Sequence, residues 1–252
     1  MRCPGATPAT RRGSVRDADR APGDLAGGIT REVLERDGIR TAFGVRHPDV
    51  ALASDAALRD SIRHTLARQP DGAHAQATAG VWLFGYGSLL WNPCVAVAES
   101  RMARLYGFHR DFRLKLAYGR GSPEAPGLML GLVPGGSCNG MTLRVSASDL
   151  EHELLMVWRR EMLTGVYTPR WLTVRTCAGP VAAIAFVVNA AHPCHCRLDD
   201  TQVVHLLATG HGMIGSSADY LANTVAHLEA EGIHDGRLQT LHERVQRSRL
   251  SS

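Results

Sequence analysis

The sequence has almost no lysine. Lys115 is the only one, so 27 of the 28 basic residues are arginine, against 24 acidic residues and a formal net charge of +4. Two readings of this bias are open: a compositional drift toward Arg, Ala and Gly, or a phosphate-binding surface, because the arginine fork fits phosphate oxygens. The arginines are scattered and interleaved with carboxylates, which favours the first reading and argues against a nucleic-acid partner. No run of ~18 apolar residues exists, so no transmembrane helix is available and no membrane partner is expected. There is no G-X-Y or heptad period and no internal repeat. Six cysteines (Cys3, Cys94, Cys138, Cys177, Cys194, Cys196) lack regular spacing and are too sparse for a disulfide scaffold, so a reducing cytoplasm is expected. Arg11-Arg12 is followed by polar and charged residues from Gly13 to Asp24 rather than an apolar core, so no leader peptide is expected. What remains is ordinary globular composition, 44% hydrophobic and 21% charged over 252 residues, enough to bury a substantial core.

Residues 1–28 contain no Ile, Phe, Trp or Tyr but three prolines and five glycines, which predicts a disordered tail. The texture changes at Ile29. Thr30 can N-cap a short helix through Arg36, stopped by Gly38. Leu58, Ile62 and Leu66 recur every four residues, a helix with Pro70 just beyond its end. Residues 29–75 thus form a helical preamble expected to pack on a catalytic domain at 76–247, with small polar residues 71–80 as the connector. Strands are expected at 81–84, 102–108, 112–118, 128–133, 140–146, 171–177 and 181–188. The connections 119–127 and 134–139 are too short for βαβ crossovers, so the sheet should be antiparallel or mixed. Helices are expected at 149–163, 201–209, 218–231 and 236–247. Strands clustered in the middle with helices inserted and appended give an α+β class.

Two places can carry chemistry. The first is the strand exit Phe84-Gly85-Tyr86-Gly87-Ser88-Leu89. Glycines flanking an aromatic let the chain turn sharply and bare consecutive amides, a cradle for a carboxylate, a phosphate or a developing oxyanion. Leu90 stands where a dinucleotide fingerprint needs its third glycine, so a Rossmann site is discounted. A plain strand end is the other reading. The second place is the helix at 149–163. Ser148 and Glu151 form a capping box that fixes its start. Leu150, Leu154, Val157 and Glu161 follow at spacings of four, three and four on one face, while Arg159 and Arg160 belong toward the opposite side. Glu161 is therefore a carboxylate on an apolar stripe near a helix C-terminus. Desolvation and the macrodipole both push its pKa up, toward the range a general base needs. The other reading is a structural ion pair with Arg170 or Arg175. No Ser-His-Asp or Cys-His nucleophilic arrangement is evident.

The string Phe84-Gly85-Tyr86-Gly87-Ser88-Leu89-Leu90-Trp91-Asn92-Pro93 resembles the start of the catalytic domain in the ChaC family of glutathione-specific γ-glutamylcyclotransferases. Trp158-Arg159-Arg160-Glu161-Met162 with Thr164-Gly165-Val166-Tyr167 resembles that family's catalytic-glutamate segment. Gly119-Arg120-Gly121 through Pro126-Gly127, and Gly215 through Tyr220-Leu221, stand in family order. Ile29-Thr30-Arg31-Glu32 and Thr41-Ala42-Phe43-Gly44 resemble the preamble of bacterial members, so the resemblance covers about 29–245. It implies a compact barrel-like α+β fold with a mixed or antiparallel sheet, no metal and no cofactor. It implies cleavage of glutathione to 5-oxoproline and cysteinylglycine. It implies Glu161 as the catalytic glutamate, the stretch Leu83, Phe84, Gly85, Tyr86, Gly87, Ser88 and Leu89 as the γ-glutamyl-binding loop, and Tyr220 as a pocket tyrosine.

The departure from the family is His192-Pro193-Cys194-His195-Cys196, four potential soft ligands in five residues, with His205 and His211 further on. Zinc accepts such ligands. Adjacent residues cannot all converge on one tetrahedral ion without strain, and no CxxC or HExxH spacing is present, so no metal site is expected. Two rival functions remain beside the enzyme: a zinc-binding or redox-sensing module at 192–196, and a non-catalytic interaction protein on the same fold.

Overall fold

The computed structural model describes residues 25, 28–70 and 80–250. Five strands close into a barrel in the order β1-β3-β2-β4-β5: β1 (Val81–Gly85), β2 (Val97–Leu116), β3 (Gly127–Val145), β4 (Tyr167–Thr176) and β5 (Gly179–Val188). The β2–β3 and β4–β5 pairs are antiparallel hairpins, and β1 runs antiparallel to β3 from Val81↔Val145 to Gly85↔Met141. Parallel pairings of β5 with β1 (Leu83↔Ile184) and with β3 (Leu132↔Val187) seal the barrel, so the sheet is mixed.

The four middle strands expected from the sequence are two long ones. Segments 102–108 and 112–118 join in β2, and 128–133 and 140–146 join in β3, so 134–139 is not a loop but part of a strand. The expected break at 109–111 is paired straight through, His109↔Val133 to Asp111↔Gly131, and Gly107, at φ +82°, only shifts the register between Tyr106 and Phe108.

Helices fill the two flanks. The preamble forms α1 (Arg31–Glu35), α2 (Gly38–Arg46) and α3 (Asp55–Leu66). Thr30 caps α1 by accepting from Val33 N–H, as expected. Gly38 does not end the helical segment. Asp37 turns left-handed at φ 53° and Gly38 starts α2, an element the sequence reading did not contain. Between β3 and β4 lies α4 (Leu150–Glu161). Its start is not the expected capping box. Ser146 accepts from Ser148 N–H in a 3₁₀ turn, the N-cap Asp149 makes no side-chain cap, and Glu151 reaches Arg59 at 2.5 Å instead. Downstream come α5 (Asp200–Thr209), the two-residue strands β6 (His211–Gly212) and β7 (Gly215–Ser216), α6 (Ser217–Ala230) and α7 (Gly236–Leu250).

Three apolar clusters follow from alternation along the strands. Trp82 and Phe84 of β1 join Leu105, Leu132, Val174 and Ala183, a set drawn from all five strands, which fills the barrel. Leu83, one residue out of phase, points the other way into a layer with Ile184, Phe186, α4 and the preamble. Phe112, Leu128 and Leu130 bury the apolar faces of α5, α6 and α7.

The preamble is stitched to α4 by polar contacts as well. Arg31 forks onto Glu153 at 2.6 and 3.0 Å, and Glu153 also accepts from Ala96 N–H. Arg159 donates to the Leu34 and Glu35 carbonyls and pairs with Asp55 at 2.5 Å. The Trp158 indole N–H donates to Ser61 Oγ at 3.0 Å. Leu25 is 2% exposed and belongs to the preamble-side core, and Gly28 N–H turns back to the Leu25 carbonyl. The end of segment 1–28 is therefore docked rather than free. The rest of that segment and most of the connector lie outside the described residues.

Candidate active site

The three clusters meet around one cavity of about 380 Å³. Its wall takes Tyr86 from the barrel interior, Tyr220 and Leu130 from the α5–α7 side, and Leu89, Phe43 and Tyr118 from the preamble side. The volume lies within the range of about 300–1,000 Å³ usual for small-molecule sites.

The chain reaches the cavity just beyond the C-terminal end of β1. After Gly85 the chain turns into a 3₁₀ turn at Ser88–Leu90, closed by Leu90 N–H to the Gly87 carbonyl (2.9 Å) and Asn92 N–H to the Ser88 carbonyl (3.0 Å). The first amides of such a turn have no partner within it and are free to meet a ligand oxygen. Gly87 sits at φ −136°, so it needs no left-handed conformation. What it needs is space, since a Cβ there would lie 3.0 Å from the Tyr220 hydroxyl.

Tyr86, Gly87, Ser88 and Leu89 line the cavity, with Glu161 and Tyr220. Leu83, Phe84 and Gly85 do not. They are strand residues, Leu83 paired with Leu143 and Ile184, Phe84 fully buried in the barrel and Gly85 opposite Met141. These three residues hold the strand from which the 86–89 turn leaves.

Glu161 is the last residue of α4 and its side chain is 11% exposed. Burial raises its pKa above the ordinary carboxylate value of 4.5, and the adjacent Arg160, with Nε 3.1 Å from Oε1, opposes that rise only partly. Neither Arg170 nor Arg175 is its partner. Arg160 is also not on the outer face, as the helical wheel suggested. It is 5% exposed, lines the cavity and donates to the Asn92 carbonyl, because the helix ends here and its last side chains fold inward.

Three tyrosines surround the carboxylate and burial keeps each protonated. Tyr86 donates to the Phe186 carbonyl at 2.7 Å and Tyr167 to the Leu130 carbonyl at 2.7 Å, both with pKa values pushed well up. Tyr220 is pushed up to about 12, burial outweighing the nearby Arg120, whose guanidinium stacks 4.7 Å over its ring.

Arg120, Arg160, Asp219, Tyr118 and Tyr167 line the cavity without having been named as site residues. Two of them adjoin a residue that was, Arg160 beside Glu161 and Asp219 beside Tyr220, and Arg120 stands between the glycines of the Gly119–Gly121 motif.

The His192–Cys196 segment lies along β2, with Lys115 N–H on the Cys194 carbonyl and Cys196 N–H on the Arg113 carbonyl, each at 2.9 Å. His192 Nδ1 accepts from Cys194 N–H at 3.1 Å, which leaves Nε2 to donate to the Thr164 carbonyl, also at 3.1 Å. Both ring nitrogens are thus in use. Cys194 Sγ lies 3.4 Å from the Tyr118 hydroxyl. Among the described residues, no group of three His, Cys, Asp or Glu is placed to share a metal ion.

A family model described as ChaC-like protein matches residues 81–248, most of the chain. The chain belongs to the ChaC-like family. It is 37% identical over 215 residues to the glutathione-specific γ-glutamylcyclotransferase of Escherichia coli (strain K12), spanning 84% of this chain and 90% of that one. The enzyme of the same name from Schizosaccharomyces pombe (strain 972) is 28% identical over 196 residues, 67% of this chain and 96% of that one. A crystal structure of a yeast γ-glutamyl cyclotransferase specific to glutathione superposes with a TM-score of 0.64 at 19% identity, covering 69% of this chain and 99% of that one. That likeness concerns the fold, and the ChaC-like barrel with inserted and appended helices is the α+β class expected from the sequence.

Proposed function

We propose that this ChaC-like chain is a glutathione-specific γ-glutamylcyclotransferase that releases 5-oxoproline and cysteinylglycine. The observation that carries the reading is Glu161, a buried carboxylate with a raised pKa on the wall of the cavity of about 380 Å³, the residue that the resemblance implies as the catalytic glutamate. Relatives of that name, 37% identical over most of both chains in the bacterial case, support it.

Charge complementarity supports the substrate. Glutathione carries two carboxylates and one ammonium. The cavity offers Arg120 and Arg160 to the first and Glu161 and Asp219 to the second. In the reaction the α-amine attacks the γ-carbonyl of the same residue and closes a five-membered lactam. Folding the chain into a near-attack conformer is an entropic task for the walls of the site. Glu161 takes the two protons that the ammonium nitrogen must lose, one before attack and one after, and passes each to the departing nitrogen, which leaves as an ammonium, so protons balance through one residue. Amides of the 86–89 turn hold the head group and the oxyanion. Written this way, the reaction needs no metal, redox partner or cofactor.

The partner is therefore a small molecule rather than a nucleic acid or a membrane, and the compartment we assign is the cytoplasm. Among the described residues no helix is long and apolar enough to cross a bilayer. Purified protein supplied with glutathione and a chelator should release cysteinylglycine and 5-oxoproline in equal amounts. Inhibition by the chelator would favour the metal-module reading, and no turnover at all would favour the non-catalytic one.

A further inference from the structure

The family model begins at residue 81, yet one wall of the cavity comes from before it. Gly28, Ile29, Ile39 and Phe43 line the site, and all four are apolar. Their placement is fixed. Asn92 donates to the Ile29 carbonyl at 2.7 Å, Arg31 forks onto Glu153, and the Phe43 ring meets Tyr118 edge-on with centroids 5.5 Å apart. The charged groups of the cavity come from elsewhere: Arg120 from the loop after β2, Arg160 and Glu161 from α4, and Asp219 from α6.

This division matters for a γ-glutamyl peptide. The γ-glutamyl head is zwitterionic and must pair with the charged groups, since an unpaired ion against Ile39 and Phe43 is costly. The portion left for the apolar wall is the side chain next to the scissile amide. In glutathione that side chain is CH₂–SH, small, soft and uncharged. We infer that the preamble wall, through Ile39 and Phe43, is a specificity-determining surface that admits an uncharged small side chain on the leaving peptide and rejects a charged one. The inference rests on the cyclotransferase reading and adds to it the element that chooses the leaving group.

The test uses two tripeptides that differ only at the middle residue, γ-Glu-Cys-Gly and γ-Glu-Asp-Gly. The ratio of their kcat/KM values is measured in the wild type, Phe43→Ala, Phe43→Leu and Ile39→Thr, each checked for folding by circular dichroism. The wild type should favour cysteine strongly. Phe43→Ala should narrow the ratio at least ~10-fold, the scale on which apolar pockets discriminate. Ile39→Thr, a smaller perturbation that spares the fold if Phe43→Ala does not, should narrow it in the same direction, while Phe43→Leu should hold it. A folded Phe43→Ala or Ile39→Thr variant that turns over glutathione with the wild-type ratio would overturn the inference and leave the cyclotransferase reading standing. If the wild type turned over neither peptide, both readings would fall.

Discussion

Replacing Glu161 by Gln removes a proton acceptor while keeping the shape of a side chain only 11% exposed. Two measurements then move in opposite directions. Turnover should fall at least ~100-fold in kcat, the lower end for general base catalysis. That corresponds to about 2.7 kcal/mol of barrier at 1.36 kcal/mol per tenfold. Stability should rise, and the sign follows from linkage. Burial lifts the carboxyl's pKa above 4.5 in the native state. Between 4.5 and the raised value the native protein holds a proton that the unfolded chain has released, so wild-type stability falls as pH climbs through that window. Above it the full penalty is present, about 1.4 kcal/mol for each pH unit by which burial exceeds the help from Arg160. Glutamine carries no such penalty. Thermal melts of the two proteins should therefore differ most near pH 8, with Glu161→Gln the more stable, and converge as pH drops toward 4.5. The kcat/KM of the wild type should rise with unit slope through the same elevated pKa. Near-wild-type turnover of the variant would eliminate the proposed base, and a melting gap that widened on acidification would reverse the direction argued for its pKa.

Trp158→Ala should cost about 3–5 kcal/mol by urea denaturation, because the ring is fully buried, stacks edge-on 5.2 Å from Phe186 and its N–H reaches Ser61. Leu25→Ala should cost about 2–5 kcal/mol, since Leu25 is buried in the preamble-side core; an unchanged melting temperature would show that the end of the first segment is dispensable after all. Cys196→Ser should keep both activity and indifference to chelators, and stoichiometric zinc in tag-free protein would contradict that. Gly87→Ala should lower kcat/KM more than Ser88→Ala, because the new Cβ falls 3.0 Å from the Tyr220 hydroxyl whereas the serine change deletes one oxygen beside a turn whose amides we propose to bind the substrate; the opposite order would move that work to the Ser88 side chain.

Spacing made some of the site legible and concealed the rest. Leu150, Leu154, Val157 and Glu161 share one helical face whatever surrounds them, so a carboxylate on an apolar stripe could be read directly. Arg160 could not, because the helical wheel assumes that the helix continues. At the last turn of α4 the side chain is free to fold back over Asn92. The barrel's hairpins were similarly obscured. Pro134-Gly135-Gly136 reads as a loop, yet Phe108↔Pro134 and Tyr106↔Ser137 are paired across β2 and β3. A bulge and a turn use the same residues, and only the partner strand decides between them. The preamble's second helix was hidden because Gly38 reads as a stop when the left-handed Asp37 before it is not known.

The arginine that the wheel misplaced also bears on the proposal that one carboxylate serves both proton transfers. A fully desolvated Glu161 with no cation nearby would hold its proton at neutral pH and could not accept another. A Glu161 bound by an exposed, bidentate arginine would sit below the ordinary carboxylate range and would be too weak a base to take a proton from an ammonium. Here the cation is the preceding residue, with Nε 3.1 Å from Oε1, and it also donates to the Asn92 carbonyl. Its attraction offsets part of the burial without cancelling it, and the balance stays upward. Both quantities depend on the end of α4 being held against the barrel. That is the work of Arg159 on Asp55, Trp158 on Ser61 and Arg31 on Glu153, all of them bonds between α4 and the preamble. On the proposed mechanism the preamble would reach the chemistry twice, directly through the apolar wall of the cavity and indirectly through the position of Glu161.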